Sequence, residues 1–384
     1  MHDIYLDHAA TTPVREEVLK KMRPFYAEIF ANPASSHLMG QKSASALEDS
    51  REAVASMLGA RKAEEIIFTS GGTESDNLAI KGAAMALADK GKHIITSAVE
   101  HHAVLKSCQF LEKNLGFEVT YLDVDQNGFV KIDDLKDNIR EDTVLISIMY
   151  ANNEIGTIQP IQKLAAVASE NGILFHTDAV QAVGQLKIDV EELGVDLLSI
   201  SAHKFNGPKG VGALFVRKGT ELVPQLSGGS QERKRRSGTV NLPAVVGMGS
   251  ASQIIEQEFE KKRNKLLELR KYFLDEIFSN FKNVKLNGPQ NEYRLPANIN
   301  IAFKGLDAES ILFNLSLNNI AAATGSACAS GSLSVSHVLK AIGLEKSYAK
   351  GSIRFSLGPG NTKEEVDYVI KKLNEIVERL NSLN

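Results

Sequence analysis

The chain has 384 residues, of which 43% are hydrophobic and 24% charged, and its formal net charge at pH 7 is −3. This balance is typical of a globular protein, and the length predicts two domains or one large domain with an appendage. The slight negative charge argues against a nucleic-acid partner, which would require a basic excess. We also expect no membrane partner, because no apolar run reaches the roughly 20 residues that span a bilayer.

In chain order, short apolar runs alternate with helical patterns such as Glu74–Leu87 and Leu164–Glu170. Apolar runs separated by helices are typical of buried strands in a mainly parallel sheet, so the predicted fold class is α/β. Binding loops in such sheets lie at the carboxyl ends of the strands. The runs predict strands at Glu65–Thr69, His93–Thr96, Glu118–Leu122, Thr143–Met149, Ile173–His176, Asp196–Ile200 and Gly212–Val216.

The pattern changes after about Asn241, where a long charged helix is predicted to continue to about Phe278. Thr362 and Glu365 predict a capping box at the start of a last helix that ends near Leu380. These elements predict a smaller α+β domain, and its remaining predicted elements are strands at Val284–Leu286, Ala297–Phe303, Ala321–Thr324 and Ser352–Ser356 with a helix at Ala308–Leu315.

Two polar groups follow neighbouring predicted strands. Lys204 ends the segment Ser201-Ala202-His203-Lys204, and a lysine at a buried strand end is costly unless its amine is used, for example as a Schiff base. Asp178 follows another strand, where its carboxylate could pair with a buried cation such as a protonated pyridine nitrogen. Taken singly, Lys204 could be an exposed loop lysine and Asp178 a helix N-cap.

A phosphate site is predicted where Ser70-Gly71-Gly72-Thr73 joins a strand to a helix, because small residues there leave backbone N–H groups free for an anion. The pattern is neither a P-loop nor a dinucleotide motif, so neither ATP nor NAD is expected; a plain turn is the alternative. Nearby, His101 in Glu100-His101-His102 could stack on an aromatic cofactor and carry a proton. It could also be a surface histidine, and no metal site is expected because partners at metal spacing are lacking.

The two cysteines have opposite sequence environments. Cys108 continues an apolar helical face, which is typical of a buried small hydrophobe. Cys328 lies among small residues (Thr324-Gly325-Ser326-Ala327-Cys328-Ala329-Ser330), a composition typical of an accessible loop that presents a thiol. Two cysteines cannot form a disulfide framework, and the N-terminus has no signal-peptide pattern, so a cytoplasmic location is predicted. The basic run 233–236 is interpreted as a solvated loop.

As a set, these segments resemble the cysteine desulfurases of the NifS/IscS type, within the fold-type I pyridoxal-phosphate enzymes. The resemblance extends over almost the whole chain, from the segment 5–13 (YLDHAATTP) to the segment 354–359 (RFSLGP). The motifs that carry it most strongly are SAHKFNGPKG at 201–210 and GSAC at 325–328, with GGTESDN at 71–77, NNEIG at 152–156 and RSGT at 236–239.

The resemblance implies a homodimer that binds pyridoxal 5'-phosphate, with a large cofactor domain at residues 15–260 and a small domain formed by residues 1–14 and 261–384. It implies that Lys204 binds the cofactor covalently and that Arg354 holds the substrate carboxylate. The other implied cofactor contacts are Asp178 at the pyridine nitrogen, Gln181 at the phenolic oxygen, His101 on the ring, Asn153 beside both cofactor and carboxylate, and Gly72, Thr73, Ser201, His203 and the second subunit's Thr239 at the phosphate.

The implied reaction converts L-cysteine to L-alanine, with Cys328, Lys204 and His101 as catalytic residues. Sulfur passes to Cys328 as a persulfide and then to an acceptor such as an iron–sulfur scaffold protein. The alternatives are another fold-type I enzyme, either a cysteine lyase or an aminotransferase, with selenocysteine as a second substrate, and a non-catalytic sulfur carrier or cofactor-binding regulator. Neither rival enzyme would explain a cysteine at position 328 among small residues, and an aminotransferase would also convert the cofactor to its pyridoxamine form.

Overall fold

The computed structural model describes residues 3–325 and 335–383. Cys328 therefore lies outside the described residues. In chain order, the strands are β1 (Ile4–Tyr5), β2 (Ile66–Thr69), β3 (His93–Ser97), β4 (Glu118–Leu122), β5 (Thr143–Ser147), β6 (Leu174–Asp178), β7 (Leu197–Ser201), β8 (Gly212–Val216), β9 (Val284–Leu286), β10 (Asn298–Phe303), β11 (Ile320–Ala321) and β12 (Ser352–Ser356).

The helices pack around these strands, and three short 3₁₀ turns lie at Ala63–Glu65, Ala202–Lys204 and Glu232–Lys234. The α-helices are α1 (Glu16–Met22), α2 (Pro24–Ala27), α3 (Leu38–Leu58), α4 (Gly72–Ala86), α5 (His102–Leu115), α6 (Ile132–Asp137), α7 (Ile161–Glu170), α8 (Val190–Leu193), α9 (Leu242–Asn280), α10 (Ala308–Ser316), α11 (His337–Ala341), α12 (Lys346–Ala349) and α13 (Lys363–Leu383).

The large sheet has the order β2-β8-β7-β6-β5-β3-β4. Strands β7, β6, β5, β3 and β4 are parallel, whereas β8 is antiparallel to both of its neighbours. The prediction of a mainly parallel α/β sheet is confirmed. Since β6 and β7 are adjacent and parallel, their carboxyl ends meet at the same edge, which brings the residues after Asp178 and Ser201 together.

A second sheet has the order β12-β10-β9, and β1 pairs with β11 beside it. The predicted strand at Ala321–Thr324 is shorter and begins one residue earlier, at Ile320. Two hydrophobic cores result, one around the large sheet and one around β10 and β12, and α9 contributes to both through Met248 in the first and Phe273 in the second. The proposed domain division at residues 14 and 260 remains a prediction that this packing supports.

Local capping explains where the last helix starts. The Thr362 hydroxyl accepts a hydrogen bond from the Glu365 N–H at 3.3 Å, and the Thr362 N–H donates to the Glu365 carboxylate at 3.3 Å. The predicted capping box is confirmed, and it satisfies two backbone donors that a helix start otherwise leaves unpaired. Among the described residues, no helix combines the length and apolar character that crossing a bilayer requires.

Candidate active site

A cavity of about 380 Å³ opens at the carboxyl ends of β6 and β7, facing the N-termini of α4 and α5. Its volume lies within the roughly 300–1,000 Å³ range of small-molecule sites. The structure brings together ten residues that the sequence analysis named, and they line the cavity: Gly72, Thr73, His101, Asn153, Asp178, Gln181, Ser201, His203, Lys204 and Arg354.

Lys204 lies at the end of the 3₁₀ turn that follows β7. Its ammonium group donates hydrogen bonds to the carbonyl oxygens of Ala9 and Ala10, the latter at 3.0 Å. The Ala9 carbonyl also accepts from Gln181 Nε2 at 2.9 Å. The N-terminal segment therefore positions the amine at the cavity wall, a role that the sequence analysis missed.

Asp178 is the last residue of β6 and is only 5% exposed. Its Oδ1 accepts a hydrogen bond from the Val180 N–H at 2.9 Å, and turns rather than a helix follow it, so the N-cap alternative is wrong. Burial raises its pKa, while His101, the Val180 N–H and Lys204 act in the opposite direction. A carboxylate in this environment is strongly stabilised by a cation placed against it.

The opposite end of the cavity is suited to an anion. Helix α4 begins at Gly72, two residues before the predicted start. The N–H groups in the first turn of a helix have no intrahelical acceptor, so they are available to an anion. A Cβ on Gly72 would lie 2.7 Å from Val180 Cγ2, so a larger residue at this position would require Val180 to shift. Across the site, burial lowers the pKa of His203 to about 4, so its imidazole is neutral at pH 7 and has one N–H to donate.

The segment that contains Thr239 contacts the first turn of α4 through Arg236. Arg236 donates to both oxygens of Glu74, at 2.7 and 3.2 Å, and Glu74 accepts from the Ser70 N–H at 2.8 Å. The interpretation of the basic run as a solvated loop is wrong for Arg236. Thr239 is exposed and does not line the cavity of its own chain.

His101 caps α5 with its side chain. Its Nδ1 accepts a hydrogen bond from the Ala103 N–H at 3.1 Å, so the proton of a neutral ring lies on Nε2. Burial is the largest cause that lowers its pKa. Candidate ligand atoms of Asp76, His101 and Asp178 lie within 4.8 Å of one another, and the expectation that no metal binds here remains a prediction.

Arg354, in β12, reaches the cavity from the small sheet and is 2% exposed. Its Nη2 donates to Asp7 Oδ1 at 2.8 Å, and its Nη1 donates to the Asn153 carbonyl at 3.0 Å. Its Nε is buried and has no hydrogen-bond partner among residues 3–325 and 335–383. Because buried charged donors are normally paired, this N–H indicates an anionic ligand such as a carboxylate.

Several buried acids near the site were missed by the sequence analysis. Glu100 accepts from the Ser97 hydroxyl at 2.6 Å and from the Met149 N–H at 2.9 Å. Burial raises its pKa to about 8, and the pKa of the neighbouring Asp76 is also raised by burial. The sequence does place Glu100 beside His101, but only the fold shows that its side chain points into the protein.

We expect Glu100→Gln to change how stability depends on pH. Folded Glu100 keeps its proton up to about pH 8, whereas an unfolded glutamate loses it near about pH 4.3. The stability that the proton contributes is therefore present at low pH and is lost as the pH rises between these values. The Gln variant should gain stability relative to wild type, on the order of 1 kcal/mol per pH unit between pH 5 and 8.

Urea denaturation at four pH values measures this difference. Glu64→Gln is the matched control, because Glu64 is exposed and should leave the pH dependence as in wild type. Parallel curves for wild type and Glu100→Gln would show that Glu100 is ionised in the folded protein.

Gly325 and His337 line the cavity, and they lie on either side of the segment that contains Cys328. The Ser336 hydroxyl donates to Glu154 Oε2 at 2.6 Å, and a Cβ on Gly325 would lie 2.2 Å from the same oxygen. Both ends of the segment therefore meet at Glu154. Cys328 is three positions after Gly325 in the sequence.

The family model described as aminotransferase class-V matches residues 4–369. The protein named cysteine desulfurase IscS from Dictyoglomus turgidum is 56% identical over 382 residues, which cover 100% of this chain and 96% of that relative.

Solved structures are similar over the same extent. A structure titled NIFS-like protein superposes with a TM-score of 0.92 at 39% identity and covers 99% of this chain and 100% of its own. A structure titled SspA in complex with cysteine superposes with a TM-score of 0.82 at 39% identity, over 94% of this chain and 100% of that one.

Proposed function

The chain belongs to the aminotransferase class-V family and has the fold-type I architecture, and we propose that it is a cysteine desulfurase that converts L-cysteine to L-alanine. The observation that carries this proposal is that Lys204, Asp178 and Arg354 meet in one cavity. The same cavity is lined by Gly325 and His337, which flank the segment of Cys328, and this supports a role for the thiol in the reaction.

The cofactor that fits this cavity is pyridoxal 5'-phosphate. Its phosphate would lie at the start of α4, against Gly72, Thr73, Ser201 and His203, and its pyridine nitrogen against Asp178. Gln181 would donate to its phenolic oxygen, His101 would lie on its ring, and Lys204 would bind it covalently. The bound cofactor supplies an electron sink for the substrate carbon next to the amine.

The chain's own residues then have separate tasks. Arg354 and Asn153 hold the substrate carboxylate, which would complete the hydrogen bonds of Arg354 Nε. Lys204, assisted by His101, removes the α-proton of cysteine and later returns a proton. The Cys328 thiolate forms a bond to the substrate sulfur as the carbon–sulfur bond breaks. The bonding pair stays on the carbon, which takes a proton to give alanine, and the sulfur remains on Cys328 as a persulfide.

Product analysis tests this function against its alternatives. Purified protein with L-cysteine and a thiol reductant should release alanine and sulfide in equal amounts. Pyruvate would indicate a lyase, and a keto acid with conversion of the cofactor to its amine form would indicate an aminotransferase. Bound cofactor without turnover would indicate a sulfur carrier or regulator.

Arg354→Lys should lower kcat/KM for L-cysteine about 100-fold, mainly through KM, because a lysine cannot reproduce the planar fork that pairs with a carboxylate. Steady-state kinetics measure the effect, and the cofactor absorbance spectrum should stay unchanged. Arg270→Lys is the matched control: Arg270 is also buried, but it donates to the carbonyls of Arg294 and Leu295, away from the cavity. A KM equal to wild type in Arg354→Lys would contradict the carboxylate role.

The proposed assembly is a homodimer in which Thr239 of each chain contacts the phosphate in the other subunit. The exposure of Thr239 and of large apolar side chains in one N-terminal segment supports it: Tyr26 is 66% exposed, Phe30 64% and Leu38 76%. Apolar surface of this kind is typical of an interface. We further propose a cytoplasmic location, selenocysteine as a second substrate, and an iron–sulfur scaffold protein among the sulfur acceptors.

A further inference from the structure

A second, smaller cavity is also lined by Lys204. Its volume is about 30 Å³, and its wall shares Ala9, Gln181 and Lys204 with the main cavity. Lys204 therefore borders both the main cavity and this second cavity. The residues that line only the second cavity include His8, Thr12, Gln185, Asn206 and Lys262.

His8 leaves a polar atom in this region without a partner. Its Nδ1 is buried and has no hydrogen-bond partner among the described parts of the chain. The ring stands edge-on to Tyr5, with centroids 4.9 Å apart, and fits because residue 358 is glycine: a Cβ there would lie 2.2 Å from the ring. Burial, followed by the charge of Lys262, lowers its pKa to about 4, so the imidazole is neutral.

Lys262 comes to the same cavity from α9. It is partly buried and close to Gly184, with Nζ 3.5 Å from the position of a Cβ on that glycine. Within residues 3–325 and 335–383, no carboxylate lies within ion-pair distance of its amine. Glu258, whose charge raises the pKa of Lys262, is paired with Arg15 at 2.6 Å. Burial, with Arg15 as the second cause, lowers the pKa of Lys262 to about 8, so the amine can gain and lose a proton near neutral pH.

These groups meet the conditions for buried water. A buried water molecule needs a cavity volume of roughly 10–15 Å³ and two to four polar partners. This cavity, of about 30 Å³, therefore has room for about two water molecules. The unpaired His8 Nδ1 and the Lys262 amine would both be satisfied by it. We propose that this cavity holds ordered water that connects Lys204 to His8 and Lys262, and that Lys262 exchanges the proton of Lys204 with solvent.

The step balances without any oxidant or reductant. Protonated Lys204 gives one proton to the water, the water passes one of its protons to the neutral Lys262 amine, and Lys262 releases a proton to solvent. The charged groups around the path are Arg15 and Glu258 beside Lys262, and Asp7 and Glu365 beside His8. The inference rests on the proposed function, because it assumes that Lys204 carries the α-proton.

Isotope content of the product tests the relay. When the reaction runs in deuterated water, wild-type alanine should carry mostly solvent deuterium at its α-carbon. In Lys262→Met and in Lys262→Arg, retention of the substrate's own α-proton should rise about threefold or more, because neither side chain can relay a proton; arginine keeps the charge but does not deprotonate. Lys261→Met, at the exposed neighbouring position, is the matched control and should behave as wild type.

Unchanged retention in both Lys262 variants would overturn the relay, and so would a rise in Lys262→Met alone, which would show that only the charge matters. A crystal structure of the cofactor-loaded protein tests the water independently of turnover. Solvent density within hydrogen-bond distance of both His8 Nδ1 and Lys262 Nζ is expected, and its absence would overturn the proposal. If wild type forms no alanine, the proposed function fails, while the crystal structure still decides whether the water site exists.

Discussion

Cys328→Ala should lose alanine formation from L-cysteine by at least about 10³-fold, since removal of an attacking nucleophile leaves only the contributions of binding and of the other groups. Cofactor binding should be unaffected, because the contacts proposed for the cofactor lie at Lys204, Asp178 and the start of α4. Alanine and sulfide assays measure the loss, and the absorbance spectrum of the bound cofactor measures the retained binding.

The chain offers its own matched control in Cys108. This residue is 0% exposed, and burial raises its thiol pKa, so the reactive thiolate form is suppressed. Cys108→Ala should retain activity within about twofold while losing some stability, because a buried methyl-sized cavity costs on the order of 1 kcal/mol. Wild-type turnover in Cys328→Ala, or a loss of persulfide in Cys108→Ala, would contradict the assignment of Cys328 as the reactive cysteine and Cys108 as the structural one.

Mass spectrometry separates the sulfur-transfer step from substrate binding. After one turnover without reductant, a wild-type peptide containing Cys328 should carry one additional sulfur atom. The peptide containing Cys108 should carry none. An extra sulfur on neither cysteine, with alanine still produced, would mean that a different thiol, such as that of a second L-cysteine molecule, accepts the sulfur, and it would contradict the role of Cys328. Sulfide with pyruvate in place of alanine would indicate a lyase.

Where apolar pattern and turn residues agree, the sequence predicted elements with their observed bounds. The strand β8 (Gly212–Val216) follows a turn with two glycines and ends before Arg217. The limits of its apolar run therefore match the limits of the observed strand. Helix α3 (Leu38–Leu58) was not predicted. Its buried face includes Ser43, Ser50 and Arg51, and these polar residues conceal the period that a helix normally shows.

Pairings between distant parts of the chain were beyond the reach of local patterns. Arg354 and Asp7 form an ion pair although 347 positions separate them, and Lys204 is held by backbone carbonyls of Ala9 and Ala10. Every residue has a backbone carbonyl, so the sequence does not indicate which carbonyls accept these hydrogen bonds. Motifs thus predicted which residue types meet at the site, whereas the tertiary fold decides which partner orients each of them.

Lys204→Ala should abolish covalent attachment of the cofactor and lower desulfuration by at least about 10³-fold. Two contributions disappear together, the covalent link and the proton transfer at the α-carbon, and proton transfer alone is typically worth about 10² to 10⁴-fold. The cofactor can still enter, because the start of α4, Asp178 and His203 remain. Borohydride reduction followed by peptide mapping should therefore link the cofactor to the peptide with Lys204 in wild type and to no peptide in the variant.

Lys209→Ala is the matched control for this experiment, since Lys209 lies in the same segment, is exposed, and does not line the main cavity. It should keep the covalent link and retain activity within about threefold. The comparison is decisive because both variants remove one positive charge near His203, whose pKa both lysines lower. Equal losses in the two variants would mean that charge at the phosphate end matters, whereas a loss confined to Lys204→Ala requires an amine at the wall that the two cavities share.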